Sequence, residues 1–328
     1  MFHRTVPLIL LLLAIAPSAV VAQGKAKAEA KKAPEPTVAD FAYGHDSPRQ
    51  VFDFWQADSR RATLENPTPV VLLIHGGGWQ SGDKSGYGES DIRPFLDAGI
   101  SVAALNYRFI NQAMEQHVEP PVRACLQDAA RAMQTIRSKA NEWNIDPARV
   151  GATGTSAGAC TSLWLAMHDD LAKPDSSDPI ERESTRLTCA AVLGAQTSLD
   201  PIQIREWIPN AVYGGHAFGF AGKDRKRPDE FALLLENRDK VLPWIKEYSP
   251  IELASQDDPP IYMDYANQKQ PPAKGQKEAD PTHSAMYGVA LAEKLGDAGV
   301  EVVLAYPGHE DAKYGSPTNF LIKKLTAK

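Results

Sequence analysis

A serine lies between two glycines in residues 154–158, Gly-Thr-Ser-Ala-Gly, where a short apolar run ends and an Ala-, Leu- and Met-rich run begins. This change of pattern predicts a corner between a strand and a helix. Such a tight corner strains the backbone of Ser156, and side chains at Gly154 and Gly158 would clash with the neighbouring strand and helix. A serine held in this way is typical of a nucleophile that attacks a carbonyl carbon, with the N–H of Ala157 directed at the charge that develops.

Three consecutive glycines follow another apolar run, in residues 75–79, His-Gly-Gly-Gly-Trp. Glycine loses more conformational freedom on folding than other residues, so such a cluster needs a reason. The Gly-Lys-Ser/Thr of a phosphate-binding loop and the spaced G-x-G-x-x-G pattern are both absent from it. A loop whose backbone approaches a substrate without side chains in the way is the better interpretation, with His75 orienting it through a hydrogen bond.

The remaining pattern alternates strands and helices. Apolar runs at residues 70–74, 100–108, 148–153, 189–194, 260–265 and 300–306 predict strands, and helical spacing is found from residue 120 to 140. This order predicts an α/β fold with a mostly parallel, doubly wound sheet and helices on both faces. Residues 50–55 alternate as expected of an antiparallel edge strand.

The regular alternation stops between residues 196 and 258, a stretch that mixes aromatic and charged side chains. It follows the carboxyl end of a strand, where ligands bind on open α/β sheets. We therefore expect a cap-like insertion that supplies much of the substrate pocket.

The first 44 residues differ in composition from the rest. Residues 1–22 combine basic His3 and Arg4, an apolar run too short to span a bilayer, and small residues ending at Ala22, a pattern typical of a cleaved signal peptide. Residues 23–44 are rich in Ala, Lys, Glu and Pro and predict a disordered linker, leaving one domain over residues 45–328. We expect an exported protein with no stable membrane insertion.

Composition and cysteine count exclude several functions. The net charge of −6 offers no basic patch for nucleic acid. Cys125, Cys160 and Cys189 lie in apolar patterns, which favours buried free thiols, and none is spaced with histidine as a zinc ligand. No cofactor or metal is expected, and the sequence leaves the oligomeric state open.

With these residues placed, the chain resembles the α/β-hydrolase superfamily over roughly residues 45–328. The nearest branch resembles the esterases related to hormone-sensitive lipase and the bacterial feruloyl and acetylxylan esterases. The matching motifs are residues 75–79, Gly-Asp-Lys at 82–84, Asn-Tyr-Arg at 106–108, residues 154–158 and Gly-His at 308–309. The chain departs from the branch at Ala159, where many relatives have a further glycine, and in a longer loop after the penultimate strand.

The resemblance implies a catalytic triad and an oxyanion hole. Ser156 and His309 fit the order serine, acid, histidine of this fold, and the backbone amides of Gly76, Gly77 and Ala157 would form the oxyanion hole. Asp280, at the start of Asp-Pro-Thr-His, is the expected acid, although an aspartate before proline is also a good helix N-cap. Asp264 is the rival acid, and Glu278 is a further candidate.

The expected function is that of a secreted serine carboxylic-ester hydrolase that forms an acyl-enzyme on a small acyl ester or an acylated carbohydrate. A serine peptidase or an arylformamidase could use the same groups. A catalytically silent hydrolase fold kept as a binding module is the alternative from another class. Such modules usually lose the nucleophile or the base, whereas this chain keeps candidates for both.

Overall fold

In the part of the chain that the structure describes, eight strands form one mixed sheet. The computed structural model describes Met1 and residues 32–57, 67–222 and 224–327, and its strands occur in the spatial order β1-β2-β4-β3-β5-β6-β7-β8. In chain order they are β1 Val38–Ala42, β2 Val51–Trp55, β3 Thr68–Ile74, β4 Ser101–Leu105, β5 Ile145–Thr155, β6 Cys189–Leu193, β7 Ile261–Asp264 and β8 Val302–Ala305.

Helices connect the strands. They are α1 Glu89–Asp97, α2 Ile110–Glu115, α3 Val122–Ser138, α4 Ala140–Trp143, α5 Ala157–Met167, α6 Pro201–Trp207, α7 Arg227–Glu236, α8 Arg238–Tyr248, α9 Pro250–Leu253, α10 Ala285–Asp297 and α11 Pro317–Thr326. Short 3₁₀ turns occur at Lys84–Gly86, Gly215–Phe218 and Pro281–His283. None of the helices in the described part of the chain is long and apolar enough to cross a membrane.

Strand β3 shows why the sheet is buried on both faces. All seven of its residues are buried. Val70, Leu72 and Ile74 pack into one apolar core with residues of α3, α5 and α10, while Val71 and Leu73 pack into the other with residues of α1 and α11. Successive side chains of a strand point to opposite faces, so a continuous apolar run suits a strand covered on both sides. The predicted α/β fold, a mostly parallel sheet with helices on both faces, is confirmed.

The pairing of the central strands brings the two glycine-containing stretches together. Strands β3 and β5 are parallel, with Ile74 opposite Gly154, and β5 continues in parallel to β6 with Thr155 opposite Leu193. Strand β7 follows with Asp264 opposite Leu193. The loops that leave these four carboxyl ends therefore emerge at one edge of the sheet, the edge at which open α/β sheets bind ligands.

The start of the chain differs from expectation. Residues 38–42, inside the predicted linker of residues 23–44, form β1, which pairs antiparallel with β2. Strand β2 is antiparallel to β4, as its alternation predicted, but it is not the edge strand, because β1 lies outside it. Residues 2–31, which include nearly all of the predicted signal peptide, lie outside the described residues.

The three cysteines, Cys125, Cys160 and Cys189, are buried and free, as the apolar pattern predicted. Burial raises the pKa of each thiol. They therefore stay protonated at neutral pH and contribute to packing as small apolar side chains.

Candidate active site

Ser156 lies at the corner between β5 and α5. Its backbone has φ 55° and ψ −121°, a strained conformation for a residue with a side chain. A β-carbon on Gly158 would overlap the carbonyl oxygen of Ile74, and one on Gly154 would lie 2.5 Å from the same oxygen. The two flanking glycines thus allow the helix and β3 to approach closely enough to hold Ser156 in this corner.

The glycine loop after β3 passes directly beside Ser156. A β-carbon on Gly76 would lie 3.4 Å from the β-carbon of Ser156. Trp79 is fully buried, and its indole N–H donates to Thr161 Oγ1 at 3.0 Å, which ties the loop to α5. Among the described residues, the amide N–H groups of Gly76, Gly77 and Ala157 have no hydrogen-bond acceptor, so they are free to bind a substrate oxygen.

His283 is the histidine that meets Ser156. Its Nε2 lies 3.0 Å from Ser156 Oγ, and its Nδ1 lies 2.8 Å from Asp280 Oδ2. Because a carboxylate accepts hydrogen bonds, Nδ1 carries the proton, and Nε2 is left to accept the serine hydroxyl proton. Serine, histidine and aspartate thus form one continuous hydrogen-bonded chain, the arrangement of a catalytic triad.

Asp280 makes two contacts, one that caps a turn and one with a histidine. Its Oδ1 accepts the N–H of Thr282 at 3.3 Å, as the N-cap of the 3₁₀ turn Pro281–His283, while its Oδ2 accepts from His283. The Asp-Pro-Thr-His stretch therefore presents an acid and a base three residues apart on one turn.

The expectation that His309 accepts the serine proton is not supported by its position. Its Nδ1 donates to the carbonyl oxygen of Leu304 at 2.9 Å, and its ring stacks on Tyr306. The physical reason is the long loop after β7, residues 265–283: Pro271 of this loop lines the cavity beside Ser156, and a β-carbon on Gly308 would lie 3.6 Å from its Cγ. This loop packs beside Gly308, the neighbour of His309, and supplies the histidine that contacts Ser156.

The other two candidate acids make different contacts. Asp264 Oδ1 accepts the N–H of Ala266 at 2.7 Å, which shapes the start of the loop after β7. Glu278 Oε1 accepts the hydroxyl of Ser284 at 2.8 Å, and burial raises the pKa of the Glu278 carboxyl. The structure places Asp280 against His283 and neither of these two.

Two buried or half-buried amides hold the turn that carries Asp280 and His283. Gln196 is fully buried, and its Nε2 donates to the carbonyl oxygens of Thr282 at 2.7 Å and Gly194 at 3.1 Å. Asn210 Nδ2 donates to the carbonyl oxygen of Glu278 at 2.8 Å and its Oδ1 accepts the N–H of Glu278 at 3.0 Å. Both amides belong to residues 196–258, so this insertion holds the backbone around Asp280 and His283 in place.

A cavity of about 780 Å³ opens beside Ser156, next to Thr155, Gly194 and His283. Most of its wall comes from residues 264–280, and no residue of the 196–258 insertion lines it. Among the described residues, the insertion therefore contributes no wall to this cavity, in contrast to what we expected for the substrate pocket. The insertion instead forms hydrogen bonds to the cavity wall, through Asn210 and Glu278. It also contacts the residue after the glycine loop, because Arg227 Nη2 donates to Gln80 Oε1 at 2.7 Å.

The lining of the cavity is rich in side-chain amides, contributed by Asn267, Gln268, Gln270 and Gln276. Side chains of this kind donate and accept hydrogen bonds with hydroxyl groups. Among the described residues, no group of three or more His, Cys, Asp or Glu is arranged to hold a metal ion.

Sequence reasoning missed His283, Gln196 and Asn210. A signal for His283 was present, because a histidine three residues after an aspartate shares one turn with it. Gln196 and Asn210 had no comparable signal, since each reaches its target from a distant part of the chain.

The fold and this site define an α/β-hydrolase. Residues 60–270 match the model of the family described as BD-FAE. That match spans more than half of the chain, so the protein belongs to the BD-FAE family of α/β-hydrolase esterases.

Curated relatives are esterases and match only locally. A probable carboxylic ester hydrolase, LipM, from Mycobacterium tuberculosis is 26% identical over 152 residues, which cover 46% of this chain and 32% of that protein. Gut esterase 1 from Caenorhabditis briggsae is 30% identical over 108 residues, which cover 32% of this chain and 19% of that protein. The matched region thus spans a third or less of these relatives.

Solved structures share the fold. A truncated carbohydrate esterase from gut microbiota superposes with a TM-score of 0.64 at 20% identity, covering 90% of this chain and all of that one. An acetyl ester-xyloside bifunctional hydrolase from Caldicellulosiruptor lactoaceticus gives a TM-score of 0.56 at 24% identity, covering 78% and 76%. Esterase 2 from Thermogutta terrifontis, phosphonylated by cyclosarin, gives 0.57 at 18% identity, covering 83% of each chain.

Proposed function

We propose that this protein is a carboxylic-ester hydrolase that forms an acyl-enzyme on Ser156, with His283 as the base and Asp280 as the acid. The observation that carries the proposal is the hydrogen-bonded chain from Ser156 Oγ through His283 to Asp280. Membership of a family of esterases supports the reaction class.

In the proposed reaction, Ser156 Oγ attacks the carbonyl carbon of the ester and gives its proton to His283 Nε2. The carbonyl oxygen becomes an oxyanion, which the N–H groups of Gly76, Gly77 and Ala157 stabilise. Asp280 holds the proton-bearing Nδ1 and stabilises the imidazolium.

Collapse of the tetrahedral intermediate breaks the bond to the alcohol oxygen, which takes the proton from His283 Nε2. A water molecule then attacks the acyl-enzyme, giving its proton to His283, and the acid leaves as Ser156 regains its proton.

The proposed substrate is a small acyl ester or an acylated carbohydrate. The amide-lined cavity supports a hydroxyl-bearing partner on the alcohol side. Two structural neighbours, a carbohydrate esterase and an acetyl ester-xyloside bifunctional hydrolase, point the same way. We also propose that the protein is exported, because residues 1–22 have the composition of a signal peptide.

Three variants test the proposal with p-nitrophenyl acetate as the substrate. We expect S156A and H283A each to reduce kcat by several orders of magnitude, as losses of triad members do. H309A is the matched control and should stay within a few-fold of the wild type, because its ring contacts Tyr306 and Leu304 and not Ser156.

Two results would contradict the proposal. A wild-type protein that hydrolyses no ester would favour the silent binding module. If kcat collapsed in H309A while H283A kept nearly the wild-type rate, the base would be His309, in the loop after β8.

A further inference from the structure

Arg49 lies between β1 and β2 and reaches across to the glycine loop. Its Nη2 donates to the carbonyl oxygen of Gly82 at 3.0 Å and lies 3.2 Å from His75 Nε2. Its Nε donates to the carbonyl oxygen of Tyr107 at 2.9 Å, and the guanidinium lies 3.8 Å from the ring centre of Phe109. Several partners therefore fix the orientation of one arginine beside the loop.

The contact with Arg49 determines which nitrogen of His75 carries a proton. A guanidinium can only donate hydrogen bonds, so His75 Nε2 must accept. The proton of the neutral ring then resides on Nδ1, which donates to the carbonyl oxygen of Gly76 at 2.8 Å. Burial, together with the positive charge of Arg49, lowers the pKa of His75 to about 4, so the ring is neutral at working pH.

The Gly76 carbonyl matters because it belongs to the peptide group that bears the Gly77 N–H. A peptide group is planar and trans, so fixing the direction of its carbonyl oxygen also fixes the direction of its N–H. The Tyr107 hydroxyl donates to the same oxygen at 3.3 Å and to the carbonyl oxygen of His75 at 2.8 Å. The other tautomer of His75 would place a lone pair against the Gly76 oxygen and repel it.

We propose that Arg49 is a positioning residue for the oxyanion hole and that it acts by holding His75 in the tautomer with the proton on Nδ1. The proposal rests on the proposed ester hydrolysis for its kinetic consequence. The tautomer itself is a property of the free protein and is measurable without turnover.

The kinetic test uses R49M, which keeps an apolar stem and removes every donor. We expect kcat for p-nitrophenyl acetate to fall about 10- to 100-fold with KM within a few-fold, because the oxyanion forms only in the transition state. Loss of a whole oxyanion-hole donor costs about 10²–10³ in kcat, which sets the upper bound. R93M is the matched control, since Arg93 lies on α1 and pairs with Glu89.

The tautomer test uses ¹⁵N NMR of the His75 ring, assigned by comparison with an H75N variant. Wild-type protein at pH 7 should show a neutral ring protonated on Nδ1, and R49M should show a mixture of tautomers. R93M should leave the ring signals unchanged.

Each other outcome overturns the proposal. A wild-type His75 protonated on Nε2, or charged at pH 7, overturns it even if R49M does not fold. An R49M protein with unchanged ring signals, or with kcat within threefold of the wild type, overturns it as well. If the wild type hydrolyses no ester, only the proposed function is contradicted, because the NMR measurement of the His75 tautomer does not depend on turnover.

Discussion

At the scale of single residues, the site depends on one turn that presents both an acid and a base. Asp280 and His283 are three residues apart, and their side chains are partly exposed, at 65% and 39%. Water competes for an exposed ion pair and weakens it. The Asp280 carboxylate therefore contributes through the direction it gives the imidazole more than through stability.

This argument leads to a prediction for Asp280. D280N should retain the N-cap, because asparagine caps helices about as well as aspartate, and the melting temperature should change little. It should lose the acceptor that keeps the proton on Nδ1 of His283, and kcat should fall by a factor near 10⁴, the value for the same change in a serine protease. Steady-state kinetics and thermal unfolding of the purified variant measure both effects.

D264N is the matched control for D280N. Asparagine keeps an oxygen that accepts the N–H of Ala266, so the rate should stay within a few-fold of the wild type. A collapse of kcat in D264N and a near-normal rate in D280N would identify Asp264 as the acid.

At the scale of elements, the loop of residues 265–283 positions His283, the proposed base, against the end of β6. A β-carbon on Gly194 would lie 3.3 Å from Cδ2 and 3.5 Å from Cβ of His283. Gly194 also has φ +57°. The missing side chain therefore leaves room for the imidazole and permits the backbone turn that follows β6.

We predict that G194A separates these two roles. An alanine at positive φ costs about 1–2 kcal/mol of stability, and the added methyl group should also displace His283, lowering kcat by 10-fold or more. Gly99 gives a matched control, because it has φ +79° and nothing lies within 4 Å of a β-carbon built on it. G99A should lose similar stability and keep its kcat. Equal kcat in the two variants would show that Gly194 does not position the base.

The sequence predicts those parts of this site whose residues are close together in the chain. The corner around Ser156 and the glycine loop are encoded within five residues each, and the structure brings them together through the pairing of β3 with β5. The histidine is different. His309 fits the usual order of the fold, but the path of residues 265–283 determines which histidine contacts Ser156. That path depends on Gln196 and Asn210, whose contacts cross 86 and 68 residues of sequence.

At the scale of the whole molecule, the central strands were predictable because each is a continuous apolar run. Strand β1, Val-Ala-Asp-Phe-Ala, has an irregular pattern of burial, with Asp40 exposed. It adopts its conformation by pairing with β2, whose sequence alternates clearly. Edge strands of this kind carry little apolar signal of their own, which explains why a linker was the natural prediction there.

The closing helix α11 is joined to the sheet by Glu301, just before β8. Its carboxylate accepts hydrogen bonds from Lys324 on α11, and from Lys313 and Tyr314 in the loop before it. The Lys324 hydrogen bond, with those of Tyr314 and Lys313, lowers the pKa of Glu301 from 4.5 to about 2. Between these two pH values the unfolded chain binds more protons at this position than the folded one, so acid favours unfolding.

We therefore predict that E301Q lowers the melting temperature at pH 7 and that the deficit shrinks as the pH falls from about 5 toward 2. The contribution of Glu301 is fully present above pH 4.5 and is lost as pH approaches its folded pKa. Because the carboxylate is 36% exposed, we expect about 1 kcal/mol or less, reduced further by 1 M salt. Thermal unfolding at pH 7, 4 and 3 measures the deficit, with E236Q on the exposed side of α7 as the control. A deficit that stays constant over this range would show that Glu301 stabilises the protein by packing and not by its charge.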